Sequence, residues 1–337
     1  MKKLVWVAAV VVVAATLLSG TTAAAARPTA TYDVWHWNVA GSKLHGGSVT
    51  SGMVDAAAAS IVNRGADLVA VNELCWQQYE ALVDRLRRAG WPQDPGNFGR
   101  FVPQQRTSRS LCNGESLGVA VFSAARLGAT HRWPLPSDGL PDRRHLLCVG
   151  QAAQPKVRFC TTHITTKGHA SPWNGQPHNV NQLNTVLGRL EAYAAAGDTV
   201  LIAGDLNAQP HYRRLDNWYA RSLDVPANRG NTGNYRELDD SDAARCPGYG
   251  EWTAAGPAGA LPPCAPPGAG CTASTAAGCA KIDHVFVRQD RIAGRYWGDS
   301  LDTSRSCRGV PGRPDQYPPG SCSDHRILIG RVTVLTG

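Results

Sequence analysis

The sequence predicts an α/β protein in which packed β-sheets are covered by helices. Two observations carry this. Eight short apolar segments rich in β-branched and aromatic residues read as strands, and three longer segments with helical spacing lie unevenly among them. The order mixes strand–helix–strand crossovers with runs of consecutive strands, which argues against a purely parallel sheet.

The elements follow in order. YDVWHWNV (Tyr32 to Val39) is a strand, Val54 to Val62 a helix, and DLVAVNEL (Asp67 to Leu74) a second strand. A helix from Trp76 to Ala89 stops at Gly90. LGVAVFS, HLLCVGQA and VRFCTTHI are three more strands separated by loops. Asn179 to Ala195 carries Leu183, Leu187 and Leu190 at helical spacing and ends at Gly197-Asp198. TVLIAGDLN, KIDHVFVR and HRILIGRVTV complete the strands. From Thr253 to Ala280 the chain is rich in Ala, Pro and Gly and holds Cys264, Cys271 and Cys279. It reads as a surface insertion pinned by disulfides, since loops of that length are uncommon unless tied down.

Residues 1–26 read as a secretory signal peptide. A short positive start, Lys2-Lys3, precedes an apolar run from Leu4 to Leu18, and Ala24 and Ala26 form an A-x-A site before Arg27. The run is short for a membrane span, and no other long apolar run exists, so no stable membrane insertion is expected. The remainder, 27–337, is expected to be one domain and a monomer. Loss of Lys2 and Lys3 lowers the formal charge from +8 to +6. A basic balance fits a polyanionic substrate, although solubility alone also calls for net charge. The ten cysteines include no CxxC pair, which disfavours a zinc ribbon, and export makes disulfides the expectation. Cys148 with Cys160, Cys307 with Cys322 and Cys75 with Cys112 are the expected pairs.

Chemistry concentrates where strands end. Asn38, Glu73, His163, Asp205 with Asn207, Asp283 and Asp324-His325 each flank an apolar run. Singly, each has an ordinary structural explanation as a turn residue, cap, ion-pair partner or core histidine. Together they form a chemical set. Oxygen donors without thiolates suit a hard cation, Mg2+, Mn2+ or Ca2+, at Glu73 and Asp324 with Asn38 assisting. Two histidines and further carboxylates supply proton transfer, and an Asp facing an imidazole fixes its tautomer. Such a set suits attack of water on a phosphate ester. His284 is expected to face away from Asp283, because adjacent strand residues point opposite ways. His36 shares the face of Asn38 without an assigned role, and His169 and His178 are unassigned.

WNVAG, VNEL, TTHI, GDLNAQP, KIDHVFV and SDHRI resemble, in this order, the motifs of the endonuclease/exonuclease/phosphatase superfamily, across nearly the whole chain from Asn38 to His325. The resemblance implies a four-layer αββα sandwich of two packed mixed sheets. It implies a metal at Glu73, supported by Asn38 and Asp324. It further implies that His325, paired with Asp283, activates the attacking water and that Asp205 orients it. Asn207 would donate to a phosphate oxygen, and His163 would stabilise the phosphate or protonate the leaving group.

Nucleic acid is the expected substrate, with Arg100, Arg106 and Arg109 in a loop that could meet a phosphate backbone. A phospholipid or a small phosphate ester is the alternative. Lipid cleavage would need an exposed apolar element, for which Tyr296-Trp297 or Trp133 with Leu135 are candidates. GESLG (Gly114 to Gly118) matches the serine-hydrolase elbow, with Ser116, Asp283 and His325 in triad order. That motif requires a strand before the serine and a helix after it, and here a polar stretch precedes and a strand follows. A secreted binding module without turnover is a third reading, and the completeness of the residue set argues against it.

Overall fold

The structure, a computed structural model, describes residues 27–104, 111–141, 143–210, 213–225, 228–241, 247–257, 277–313 and 317–337. Residues 1–26, read above as a signal peptide, Arg106, Arg109 and the middle of the expected insertion lie outside the described residues. The chain runs β1 (Thr29–Asn38), α1 (Met53–Asn63), β2 (Leu68–Cys75), α2 (Trp76–Arg88), β3 (Gly99–Pro103), β4 (Leu117–Ser123), β5 (Leu127–Pro134), β6 (His145–Gln151) and β7 (Val157–His163). It continues α3 (His178–Ala195), β8 (Thr199–Asp205), β9 (Tyr235–Glu237), β10 (Ala254–Pro257), β11 (Ala277–Ala280), β12 (Asp283–Arg288), β13 (Ile292–Leu301) and β14 (Ile327–Leu335). Two six-stranded sheets result, in the orders β13-β14-β1-β2-β4-β3 and β5-β6-β7-β8-β12-β9, with β10-β11 as a separate pair at the base of the insertion. Both large sheets are mixed, since β1–β2 and β7–β8 pair parallel within otherwise antiparallel surroundings.

Strand periodicity explains the layering. In β1, Trp35 and Trp37 pack with Met53, Ile61, Leu82 and Leu86 of α1 and α2. Tyr32 and Val34 point the other way, into a core shared with Phe159, Leu201, Val285 and Val287 of the second sheet. Val200, Ile202 and Phe286 cover the outer face of that sheet together with Leu183, Val186 and Leu190 of α3. The layers are therefore helices, sheet, sheet, helix, as the four-layer expectation has it. Side chains two apart share a face, so the inter-sheet face can be followed along each strand toward the site. It runs Val34, His36, Asn38 on β1; Leu68, Ala70, Asn72 on β2; Phe159, Thr161, His163 on β7; Leu201, Ala203, Asp205 on β8; and Val287, Val285, Asp283 on antiparallel β12. Each row is apolar in mid-sheet and polar at one end, and register brings those ends together.

The eight strands expected from sequence are the eight inner strands. The four edge strands, β3, β5, β9 and β13, were not among the expected elements. Their sequences carry Gly, Pro and Arg and less continuous apolar character, because an edge strand is half solvated and avoids open pairing. Arg100 is a related correction. It was expected in a substrate loop and instead sits on β3, with its guanidinium bonded to Thr130, Asn97 and the Gly99 carbonyl. Trp133 and Leu135 are equally unsuited to a membrane, since Trp133 lies under the Arg189 guanidinium at 4.2 Å and Leu135 is buried. The three expected disulfides form, and Cys148 and Cys160 occupy directly paired positions of β6 and β7.

His284 points out of the inter-sheet face, as alternation requires, and its Nε2–H donates to the Ala208 carbonyl at 2.8 Å. Burial, with help from Lys281, lowers its pKa from 6.5 to about 3. The unfolded chain takes up this proton near pH 6.5 while the folded chain refuses it until about pH 3. Stability is therefore lost as pH falls through that window, by about 1.4 kcal/mol per pH unit for one proton. Denaturant unfolding of the wild type and of His284→Gln, followed from pH 7 to pH 4, should show the variant's slope shallower by one proton. Equal slopes would contradict this.

Candidate active site

The polar ends of β1, β2, β7, β8, β12 and the segment before β14 meet at one edge of the sheet–sheet interface. The central pair is Asp283 and His325. Asp283 is completely buried, and its Oδ2 accepts the Nδ1–H of His325 at 2.8 Å. This leaves the His325 Nε2 facing Asp205, 3.9 Å from its Oδ2. The Ser323 hydroxyl receives the His325 N–H at 3.0 Å and donates to the Asn38 carbonyl at 2.6 Å. The Trp37 indole donates to the His325 carbonyl at 3.0 Å. These ties hold the Asp324-His325 segment against the end of β1.

Asp205 stands between both histidines. His163 Nε2 lies 3.5 Å from Asp205 Oδ2 and 3.9 Å from Glu73 Oε1. The register explains this: Asp205 pairs directly with His163 on one side and Asp283 on the other, so the three side chains form a row on one face. The Asp205 carboxylate divides its work. Oδ1 accepts the Asn207 N–H at 2.9 Å, the turn that an Asp in this position commonly makes, while Oδ2 accepts from Asn38 Nδ2 at 3.0 Å. Asn207 does not share the strand face of Asp205, because β8 has ended and Asn207 takes φ 47°. One amide hydrogen of Asn207 donates to the Ile164 carbonyl at 2.8 Å, which leaves the other for a ligand.

Glu73 reaches the site only through a backbone irregularity. By strict alternation it would follow Val69 and Val71 onto the helix side. The β2–β4 register breaks between Val71 and Leu74, and Glu73 adopts φ 53°. This bulge turns its carboxylate to within 3.4 Å of Asn38 Nδ2. Asn72, just before it, accepts the Asp205 N–H at 2.8 Å and donates to Thr161 at 3.1 Å. Ala40, with φ 47°, is the third non-glycine residue in the left-handed region beside the site. Such conformations are uncommon outside glycine and cluster at functional sites. Nearby, a Cβ on Gly41 would fall 2.6 Å from the Glu73 carbonyl, so that position requires glycine.

The electrostatics separate these groups. Burial would lower the His325 pKa, but the Asp283 carboxylate outweighs it and raises it to about 10. Burial likewise opposes ionisation of Asp283, yet His325 and His36 hold it far below the usual carboxylate range. Burial and the neighbouring Asp283 push Asp205 up to about 7. His163 is pushed well below the usual imidazole range by burial and by Arg144, so it is neutral. Glu73 is raised by burial and by Asp324.

Glu73 and Asp324 fit a hard divalent cation. Asp324 lies close enough to raise Glu73, and the Lys43 ammonium already lies 2.6 Å from Asp324 Oδ2 as a cation against that acid. The Asn38 amide nitrogen faces Glu73 and Asp205, while its oxygen accepts the Ala40 N–H at 3.1 Å; it braces the carboxylates. Asp205, Asp283 and His325 also bring one ligand atom each within 4.8 Å of one another. Both Asp283 oxygens are already hydrogen-bonded, however, by His36 and His325, so this trio offers a poorer open coordination site.

The family model for the endonuclease/exonuclease/phosphatase family matches residues 35–325. The chain belongs to this family. Membership points to metal-dependent phosphoesterase chemistry. The chain matches no curated protein. Its fold is similar to truncated TDP2 of Caenorhabditis elegans (12% identity, TM-score 0.56, covering 90% of this chain and 97% of that one). It is also similar to the human Nocturnin catalytic domain with bound sulfate (14% identity, TM-score 0.56, 91% and 97%). A third similar structure is Danio rerio TDP2 complexed with a single-strand DNA product (15% identity, TM-score 0.53, 90% and 98%).

All eight residues read from the sequence lie around this one edge. His36, left without a role, is the addition: its Nε2 lies 2.9 Å from Asp283 Oδ1. The signal was its shared face with Asn38. His169 and His178 pack edge to face against each other, and His178 Nδ1 bonds the Ser137 carbonyl. Among the described residues, Ser116 directly precedes β4, a 3-10 turn at Cys112–Gly114 comes before it, and the strand β4, not a helix, follows it. It lacks the strand–turn–helix setting of a nucleophile elbow. Ser116→Ala should therefore leave turnover within about twofold of wild type in a phosphoester assay, and a loss without unfolding would revive the serine reading.

Proposed function

We propose that this protein is a secreted, divalent-metal-dependent phosphodiesterase that cleaves nucleic acid, with residues 27–337 as its single catalytic domain. One observation carries the proposal: the buried Asp283–His325 pair, Asp205, His163 and the Glu73–Asp324 carboxylates converge on one edge of the sheet–sheet interface. Asp283 fixes the Nδ1–H tautomer of His325, so Nε2 is the atom that meets water or a phosphate oxygen. In the protein alone His325 is an imidazolium at neutral pH. Positive charge brought to Glu73 and Asp324 would lower its pKa toward that of a working base. Asp205 accepts and orients the water's hydrogens, while His163 and the free Asn207 amide hydrogen lie where a phosphate oxygen can be met. Glu73 and Asp324 would hold a divalent cation, Mg2+ in the first instance, which would supply Lewis-acid polarisation of the phosphate.

The preference for nucleic acid rests on the formal charge of +6 after leader removal and on the DNA-complexed relative. Export is supported by the signal-like start and by three disulfides. No helix among the described residues is long and apolar enough to cross a membrane. The test is plasmid DNA incubated with mature protein in Mg2+, with and without EDTA. Nicking that EDTA abolishes is expected. A folded protein that leaves DNA intact would overturn the nucleic-acid assignment and direct the assay to phospholipid and small phosphate esters.

A further inference from the structure

Asp283 is clamped from two sides. His325 holds Oδ2 at 2.8 Å, and His36 holds Oδ1 at 2.9 Å. His36 is fully buried and comes from β1 of the first sheet, while Asp283 begins β12 of the second, so the contact crosses the sheet–sheet interface. The chemistry of this contact is one-sided. A carboxylate oxygen only accepts, so Nε2 of His36 must carry the hydrogen. The other ring nitrogen, Nδ1, has no hydrogen-bond partner among the described residues. In the Nε2–H tautomer that orphan is an unused lone pair; in the other tautomer Nδ1 would be a stranded buried donor and Nε2 would turn a lone pair onto the carboxylate, which is far costlier. The surroundings thus dictate which tautomer His36 holds. A histidine that served only to fill space between sheets would not need its one donor aimed at the acid partner of the dyad.

We infer that His36 is a positioning residue for the catalytic dyad: by holding Oδ1 it fixes the rotation of the Asp283 carboxylate, and so the direction in which His325 presents Nε2. Without the His36 donor, Oδ1 becomes a buried unpaired oxygen, and the carboxylate is free to rotate about its terminal bond. Asp283 N–H, held by the Thr253 hydroxyl at 2.9 Å, anchors the backbone but cannot fix that rotation. His36 has no exposed surface and so cannot touch substrate; its effect belongs in turnover and not in substrate binding. The inference rests on the phosphodiesterase reading for its kinetic consequence, but not for the geometry.

The test compares His36→Gln, which keeps an amide N–H donor within reach of Oδ1, with His36→Leu, which keeps volume and removes the donor. Kinetics on bis(p-nitrophenyl) phosphate, thermal melting and the low-field proton resonance of the His325 Nδ1–H are read together. His36→Leu should lower kcat by about 10–100-fold, the range for groups that orient a functional residue, with KM within about twofold. It should also shift or broaden the low-field resonance. His36→Gln should restore most of kcat and return the resonance. If the leucine variant does not fold, His36→Asn, whose shorter amide falls short of Oδ1, takes its place. Wild-type kcat in the donor-less variant, or equal losses in both variants, would overturn the inference. If the wild type cleaves no phosphoester, the function reading fails and the resonance alone decides: unmoved in the donor-less variant, it overturns the positioning role, and shifted there but retained in His36→Gln, it supports that role.

Discussion

His325→Ala is expected to lower turnover by a factor of about 10²–10⁴, the range for removing a positioned acid–base group. The reason is geometric. His325 is the group that carries both a fixed tautomer and a nitrogen turned toward Asp205, and its partner Asp283 is buried beyond reach of water. Asp205→Ala should produce a fall of at least 10², because Asp205 Oδ2 is the point at which Asn38, His163 and His325 converge. Single-turnover rates in Mg2+, with circular dichroism to verify folding, would check both. Near-wild-type turnover in the two variants would remove the dyad from the chemistry.

Glu73→Gln is expected to raise the Mg2+ concentration needed for half-maximal activity by about 10–100-fold or more, taking the effect of disturbing residues around a metal as the lower guide. The substitution keeps the size and the ability to meet Asn38 while removing the charge, so folding should be little affected. It also relieves the like-charge contact with Asp324. Isothermal titration with Mg2+ would read the loss without relying on turnover. An unchanged binding curve would move the cation elsewhere, with the Asp205, Asp283 and His325 group as the next place to look.

Much of this was legible in the chain because inner strands and site residues share one physical origin. An inner strand is covered on both sides, so it reads as an uninterrupted apolar run, as in VLIA before Gly204-Asp205. A polar group at the end of such a run stands out, as Asn38, His163, Asp205, Asp283 and His325 do. Edge strands such as β3 and β13 lack that contrast and are not legible in the sequence. The role of His36 was not legible either. A histidine inside WHWN advertises only its face, and its partner lies 247 residues away in sequence.

The sequence by itself determined the inner strands, through local periodicity, and the layers, through an ordered set of motifs. Only the tertiary structure decided how the site is assembled. Glu73 carries the wrong parity for the inter-sheet face, and a bulge with a left-handed residue turns it inward. Asn207 enters past the end of its strand by the same kind of backbone turn. Asp283 acquires its second imidazole only because two sheets stack with β1 facing β12. Backbone irregularity and sheet-on-sheet contact carry no periodic signal: each is fixed by the packing of distant segments, and so it appears only once the chain has folded.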